Sequence, residues 1–202
     1  MKVMWKNLMI QNYKKYVYIK DLKLNLKSIT NSCNIMRKIV NENFQSNSGG
    51  FMGELETTKE FSKYNCFMYP LDQFYELYKE IQIMYNEVRE NDDVSYIQCW
   101  LKVYKKGQFI DWHGHWDENF NAWHGFYCVD VEPNSFTEYR FVNEDWEFLI
   151  PSKNNLLVMG KSKNDEHRSS PWEHDNPRIT IAYDILPKKH VPIKDINHWI
   201  PI

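Results

Sequence analysis

Two periodicities divide the chain. Over 71–88, Leu71, Phe74, Tyr75, Leu77, Tyr78, Ile81, Met84, Tyr85 and Val88 recur at i, i+3, i+4 and i+7, which is the spacing of one helical face. Asp72 stands near the start, where an acid suits a helix N-terminus. The wide aromatic stripe predicts that this helix packs onto a sheet. A second helix is predicted over 30–44, with Ile35, Met36, Ile39 and Val40 as its apolar face and SNSGG as its stop. Ahead of it, YVYIKDLKL reads as a strand.

After the polar NDD at 91–93 the period changes to two. Ile97, Cys99, Leu101 and Val103 alternate with Gln98, Trp100, Lys102 and Tyr104, the pattern of a half-buried strand over 96–104. Similar segments recur at 108–113, 123–130, 135–142, 155–159, 165–170 and 178–186, separated by the turn signals KKG, EPNS, PSKNN and GKSKND. So many short strands at this spacing predict a β-sandwich or barrel. The expected fold is α+β: a jelly-roll-like core over 94–186, supporting helices within 1–93, and a tail over 187–202. No repeat or linker splits the 202 residues, which is one domain's worth of sequence.

Composition narrows the function classes. With 25 Lys+Arg against 27 Asp+Glu and a pI near 6.4, nothing indicates a basic groove for duplex nucleic acid or a cationic membrane patch. The four cysteines form no CxxC pair and read as buried thiols of a reducing compartment. Residues 1–10 lead into no continuous apolar h-region, and no run approaches the ~18 apolar residues of a membrane span. A soluble, cytoplasmic protein is expected. The histidines are concentrated: all seven follow residue 112, and six of eight tryptophans lie between 100 and 172.

Three segments carry candidate chemistry. In YKKGQFIDWHGHWD, His113 and His115 are two residues apart and project to one side if the chain is extended, with Asp117 continuing the series. Imidazole and carboxylate at that spacing suit a ferrous, zinc or manganese ion. His167, in EHRSSPW after the apolar strand LLVMG, can close the set from a neighbouring strand. His124 reads as a packed or substrate-facing residue, and His174, His190 and His198 as solvent or interface residues. In RITIAYDI, alternation puts Arg178, Thr180, Ala182 and Asp184 on one face, so that a guanidinium and a hydroxyl form a fork for a carboxylate. Each segment alone also has a plainer reading, as loop histidines or as an Arg178–Asp184 surface pair.

Taken in order, these segments resemble the Fe(II)/2-oxoglutarate-dependent oxygenase superfamily, in particular its prolyl-hydroxylase-like branch and the small viral and bacterial 2OG-Fe(II) oxygenases. The likeness covers about 96–186 and rests on YKKGQFIDWHGH, WHGFYCVDVEPNS, LLVMG, EHRSSPW and PRITIAYDI. It implies a double-stranded β-helix holding Fe(II) on a His-x-Asp/Glu motif plus a distal His. His113 falls on the first His and His167 on the distal one. Arg178 falls on the residue that binds the far carboxylate of 2-oxoglutarate, with Thr180 and Tyr104 beside it. The position two after His113 is His115 rather than an acid. Either His113, His115 and His167 form a three-His site, or His115-Trp-Asp117 is the motif.

The resemblance implies a dioxygenase, expected to be a hydroxylase, that couples decarboxylation of 2-oxoglutarate to succinate with oxidation of a substrate C–H bond by O2. Trp112, Trp116 and Trp123 are expected to wall the substrate pocket. The substrate is expected to be a small molecule or peptide rather than duplex nucleic acid, and the protein a monomer or homodimer without a membrane partner. Two other classes share the features: a cupin-like three-His metalloenzyme without 2-oxoglutarate, and a non-catalytic β-helix binding module. The tail PKKHVPIKDINHWIPI is expected to pack on its own domain, with a lid or a dimer contact as alternatives.

Overall fold

The computed structural model of the protein describes residues 11–14, 16–43, 64–144 and 147–202. Among the described residues, eleven strands form two antiparallel sheets. The major sheet has the order β1(Gln11–Lys14), β2(Val17–Asp21), β8(Leu156–Lys161), β5(Trp123–Asp130), β10(Arg178–Pro187), β3(Ser95–Tyr104), β11(Ile200–Pro201). The minor sheet has the order β4(Ile110–His113), β9(Asp165–Ser169), β6(Phe136–Phe141), β7(Glu147–Pro151). Two helices, α1(Leu26–Asn43) and α2(Asp72–Val88), cover the outer face of the major sheet. This is the α+β, jelly-roll-like organisation expected from the sequence, with N-terminal strands also joining the major sheet.

The helices are held by the face that their sequence predicts, with one rotation. In α2, Phe74, Leu77, Ile81, Met84 and Tyr85 are buried. In α1 the buried apolar residues are Ile29, Cys33, Met36 and Val40, while Ile35 is 40% exposed. The helix also starts earlier than expected: Asn25 accepts a hydrogen bond from the Ser28 N–H at 3.1 Å and so caps the first turn. The predicted SNSGG stop, like residues 1–10, lies outside the described residues.

The helices press on Ile97, Cys99, Leu101 and Val103 of β3 and on Ile179, Ile181, Tyr183 and Ile185 of β10. The alternate residues of both strands face the minor sheet. For that reason β3 is buried on both faces rather than half-buried: Gln98, Trp100, Lys102 and Tyr104 are 2%, 3%, 6% and 4% exposed. The minor sheet keeps a clean alternation, since its outer face meets solvent. The four turn signals between strands supply the left-handed residues that such turns need: Gly107, Asn134, Asn155 and Asn164 all have positive φ.

The tail packs on its own chain. Strand β11 pairs with the β3 edge, Tyr78 Oη donates to the Pro201 carbonyl, and Asn65 Nδ2 donates to the carbonyls of Ile97 and His198. Trp199 is buried beside Trp116, Phe120 and Leu186. The four cysteines are free and buried. No helix among the described residues is long and apolar enough to cross a membrane.

Gly125, on β5, sits where the Tyr183 ring crosses from β10 and donates its hydroxyl to the Val158 carbonyl at 2.7 Å. A Cβ at Gly125 would collide with both that carbonyl and the Tyr183 hydroxyl. Gly125→Ala is therefore expected to destabilise the protein by about 2 kcal/mol or more, through overpacking and loss of a buried hydrogen bond. Thermal unfolding of the variant checks this.

Candidate functional site

The site lies between the sheets, at the edge where β4 meets β9. Their register holds a β-bulge: Ile110 faces Ser169 and His113 faces His167, three residues on one strand matching two on the other. Simple alternation from the buried Ile110 would turn Trp112 inward and His113 outward. The extra residue reverses this and aims His113 at the major sheet. The chain then leaves the strand at Gly114 and brings His115 in as well.

His113, His115 and His167 come together, with their ligand-capable atoms all within 4.8 Å of one another. Ring centroids are 4.4 Å apart for His113 and His167, 5.1 Å for His115 and His167, and 5.5 Å for His113 and His115. Two of the tautomers follow from the partners. His113 Nδ1 lies 2.8 Å from the Asp111 carbonyl, which only accepts, so Nδ1 carries the proton and Nε2 the lone pair. His115 Nδ1 donates in the same way to Asp184 Oδ1 at 2.6 Å. The buried His115 Nε2 and His167 Nδ1 have no hydrogen-bond partner. Inward lone pairs on neutral rings, held from behind by a carbonyl and a carboxylate, are the chemistry of a transition-metal site.

Electrostatics keep the rings neutral. Burial, with the charges of Lys102 and the other imidazoles, pushes His113 down to about 3. His167 is driven well below the usual imidazole range, first by burial and then by its neighbours. His115 is also lowered, because burial outweighs the opposing pull of Asp184. No proton has to be expelled from such rings at neutral pH for a cation to bind.

Behind the cluster lies a buried ion pair. His124 Nε2 is 2.7 Å from Asp165 Oδ2, and the His124 ring stacks on His115 at 4.3 Å and 12°. Burial lowers the affinity of His124 for a proton, but the Asp165 carboxylate outweighs it and leaves the pKa raised; Asp165 is correspondingly lowered. His124, Asp165 and His167 also have ligand-capable atoms within 4.8 Å. Because His124 and Asp165 satisfy one another, we read the pair as a wall that orients His115.

The cleft continues from the histidines along the inner face of β3 and β10. Arg178 is 3% exposed, lies over the Tyr104 ring at 5.0 Å, and makes one long contact to Thr137 Oγ1 at 3.4 Å while its Nε has no partner. Thr180 and Tyr104 line the same cleft, and the Tyr104 hydroxyl is tied to Ser169. Lys102 faces Thr180 across the two strands. Burial holds its ammonium down to about 8, with Asp184 opposing and Arg178 reinforcing that shift.

The remaining expected site residues are placed elsewhere. Asp117 caps its own turn, accepting from the Asn119 N–H at 2.8 Å on the exposed side, and it is no member of the ligand cluster. None of the three expected tryptophan walls lines the cleft. Trp112, turned out by the bulge, lies between the guanidinium groups of Arg140 and Arg168 at 4.3 and 4.7 Å. Trp116 packs with Trp199. Trp123 faces the helices, next to Tyr18 and Tyr85, since its parity on β5 is opposite to that of His124. His174 lies against Trp172 at a tilt and His190 stacks on Phe120, outside the cluster.

Lys102, Asp165 and Asp184 escaped the sequence reading as site residues. Lys102 shares the inward parity of Tyr104, so its placement was available from the period-two pattern. Asp184 was read as a candidate partner for Arg178, whereas it binds His115; no local spacing announces a contact between residues 69 positions apart.

No protein-family model matches the sequence, and no curated protein matches it. Solved structures do share its architecture. A prolyl-4-hydroxylase from Pseudomonas putida superposes with a TM-score of 0.58 at 12% identity, covering 85% of this chain and 92% of that one. A prolyl hydroxylase from Trichoplax adhaerens, in complex with a peptide fragment of the hypoxia inducible factor oxygen degradation domain, gives 0.64 at 10% identity, with 86% and 84% covered. The non-heme alpha ketoglutarate dependent epimerase SnoN of nogalamycin biosynthesis gives 0.62 at 6%, with 85% and 76% covered. The chain therefore has the double-stranded β-helix fold found in these oxygenases.

If Asp184 orients His115, then Asp184→Asn should weaken binding of a divalent transition metal by about 10- to 100-fold. Asp117→Asn should leave it unchanged. Equilibrium titration of both variants with Co(II) checks the pair; equal affinities would remove Asp184 from the site.

Proposed function

We propose that this protein is an Fe(II)- and 2-oxoglutarate-dependent dioxygenase. The observation that carries the reading is that one buried cleft joins the three histidines to the under-partnered cation Arg178. A buried guanidinium without an anion is costly unless a ligand supplies one. In this reading His113, His115 and His167 hold the metal, and Arg178 with Thr180 and Tyr104 takes the far carboxylate of 2-oxoglutarate. The resemblance in the sequence and the fold of the solved neighbours support the same assignment.

Bound Fe(II) would supply the coordination sites and electrons for O2 and the keto acid. The overall reaction balances as 2-oxoglutarate, O2 and a substrate C–H going to succinate, CO2 and a C–OH. The protein supplies position and dryness. Arg178 gives a planar pair of N–H donors that a lysine could not reproduce, and Thr180 adds a hydroxyl beside it. Asp184 holds the His115 ring with its protonated nitrogen turned away from the cleft. The two sheets shield the reacting end from bulk water. Among neighbours of this fold, one is bound to a peptide and another is an epimerase of nogalamycin biosynthesis, so both peptide and small-molecule substrates are compatible with the scaffold.

A set of three neutral ligands also fits a cupin-like metalloenzyme that does not use 2-oxoglutarate. Arg178 separates the two readings. Anaerobic addition of Fe(II) and 2-oxoglutarate should produce a charge-transfer absorption band, and succinate should form once air is admitted. Arg178→Ala should raise the 2-oxoglutarate KM by about tenfold or more, the worth of a charge-assisted pair. Turnover that is indifferent to Arg178 would favour the cupin-like reading, and protein that retains no iron would favour a binding module.

A further inference from the structure

The cleft holds more positive charge than one carboxylate of a cosubstrate requires. Lys102 is 6% exposed, and no carboxylate lies within ion-pair distance of its Nζ among the described residues; the ammonium lies 5.8 Å from the Trp100 ring centroid. Asp184, the acid that acts on it, is already bonded to His115. Asp165 is matched by His124. Between the sheets, among the described residues, this leaves Lys102 near one carboxylate that is already committed and Arg178, three steps further along β10, paired with none, even before a divalent ion adds its charge.

Position distinguishes the two cations. The inward residues of β10 run Asp184, Ala182, Thr180, Arg178, in steps of about 6.6 Å. His115 is tied to the first of them and Arg178 is the last. Lys102 faces Thr180 and so stands one step nearer the histidines than Arg178 does. Its charge acts most on His113, where it comes second only to burial, and more weakly on His115, His124 and His167.

Building on the dioxygenase reading, we infer that Lys102 binds the carboxylate next to the keto group of the cosubstrate, while Arg178 binds the far one. The two cations then take opposite ends of one dianion. Three neutral ligands leave this metal site one negative charge short of a two-histidine, one-carboxylate site, and a flexible ammonium at its edge favours a ligand that brings its own. Lys102 is thus a specificity residue for 2-oxo acids as a class, and Arg178 for diacids among them.

The test is calorimetric titration of Ni(II)-loaded protein, without turnover, using 2-oxoglutarate and the monoacid 2-oxopentanoate. Lys102→Met should weaken both ligands by about tenfold or more, whereas Arg178→Ala should weaken 2-oxoglutarate alone. Lys102→Met should also raise the Tm of the ligand-free protein, because it removes an unpaired buried charge while keeping the stem. If Lys102→Met affects only the diacid or neither ligand, or lowers that Tm, the inference is overturned. Wild-type protein that binds neither ligand would overturn the dioxygenase reading itself.

Discussion

The hydrogen bond from His115 Nδ1 to Asp184 sets the character of the cleft. It spans 69 residues, joins the loop after β4 to the central strand β10, and is buried at both ends. A buried bond to a charged acceptor is worth about 1.5–3 kcal/mol, and breaking one side of it costs more than that, because the remaining charge is stranded. Two consequences follow. The lone pair of His115 is turned into the cluster, and the carboxylate that could have neutralised Lys102 is committed to an imidazole.

The layered fold makes this arrangement affordable. Helices α1 and α2 seal one face of the major sheet with an apolar core, and the minor sheet covers the other, so β3 and β10 pass through the interior for their whole length. Their outward residues supply hydrophobic stabilisation, which offsets the cost of the polar residues on the inner face. The same burial keeps His113, His115 and His167 unprotonated and withdraws the cations from bulk solvent. Polar groups held unsatisfied in this way are where a protein invests stability in binding.

Much of this was legible in the sequence wherever a strict period governed. Alternation placed Arg178, Thr180 and Asp184 on one face of β10, and the turn signals fell on residues with left-handed backbone. The helix 71–88 matched α2 to within a residue. Legibility failed where geometry departs from a period or depends on long-range contact. The bulge in β4 reverses the parity between Ile110 and His113, so Trp112 points away from the cleft although its spacing placed it among the ligands. Strand β7, only Glu147–Pro151 and ending in proline, offers too few alternating positions to stand out. The choice between His115 and Asp117 could not be made from spacing, since both continue the same series; the Asp117 cap on the following turn decides where that side chain goes.

In the proposed dioxygenase the metal would be held by three imidazoles, with the Asp184 carboxylate one bond further out. X-ray absorption of the Fe(II)-loaded protein, without cosubstrate, counts imidazole ligands directly through their multiple scattering. The prediction is three imidazoles, the remaining positions filled by water, and an unchanged count in Asp117→Asn. Two imidazoles and a protein carboxylate, with the carboxylate lost in that variant, would contradict it.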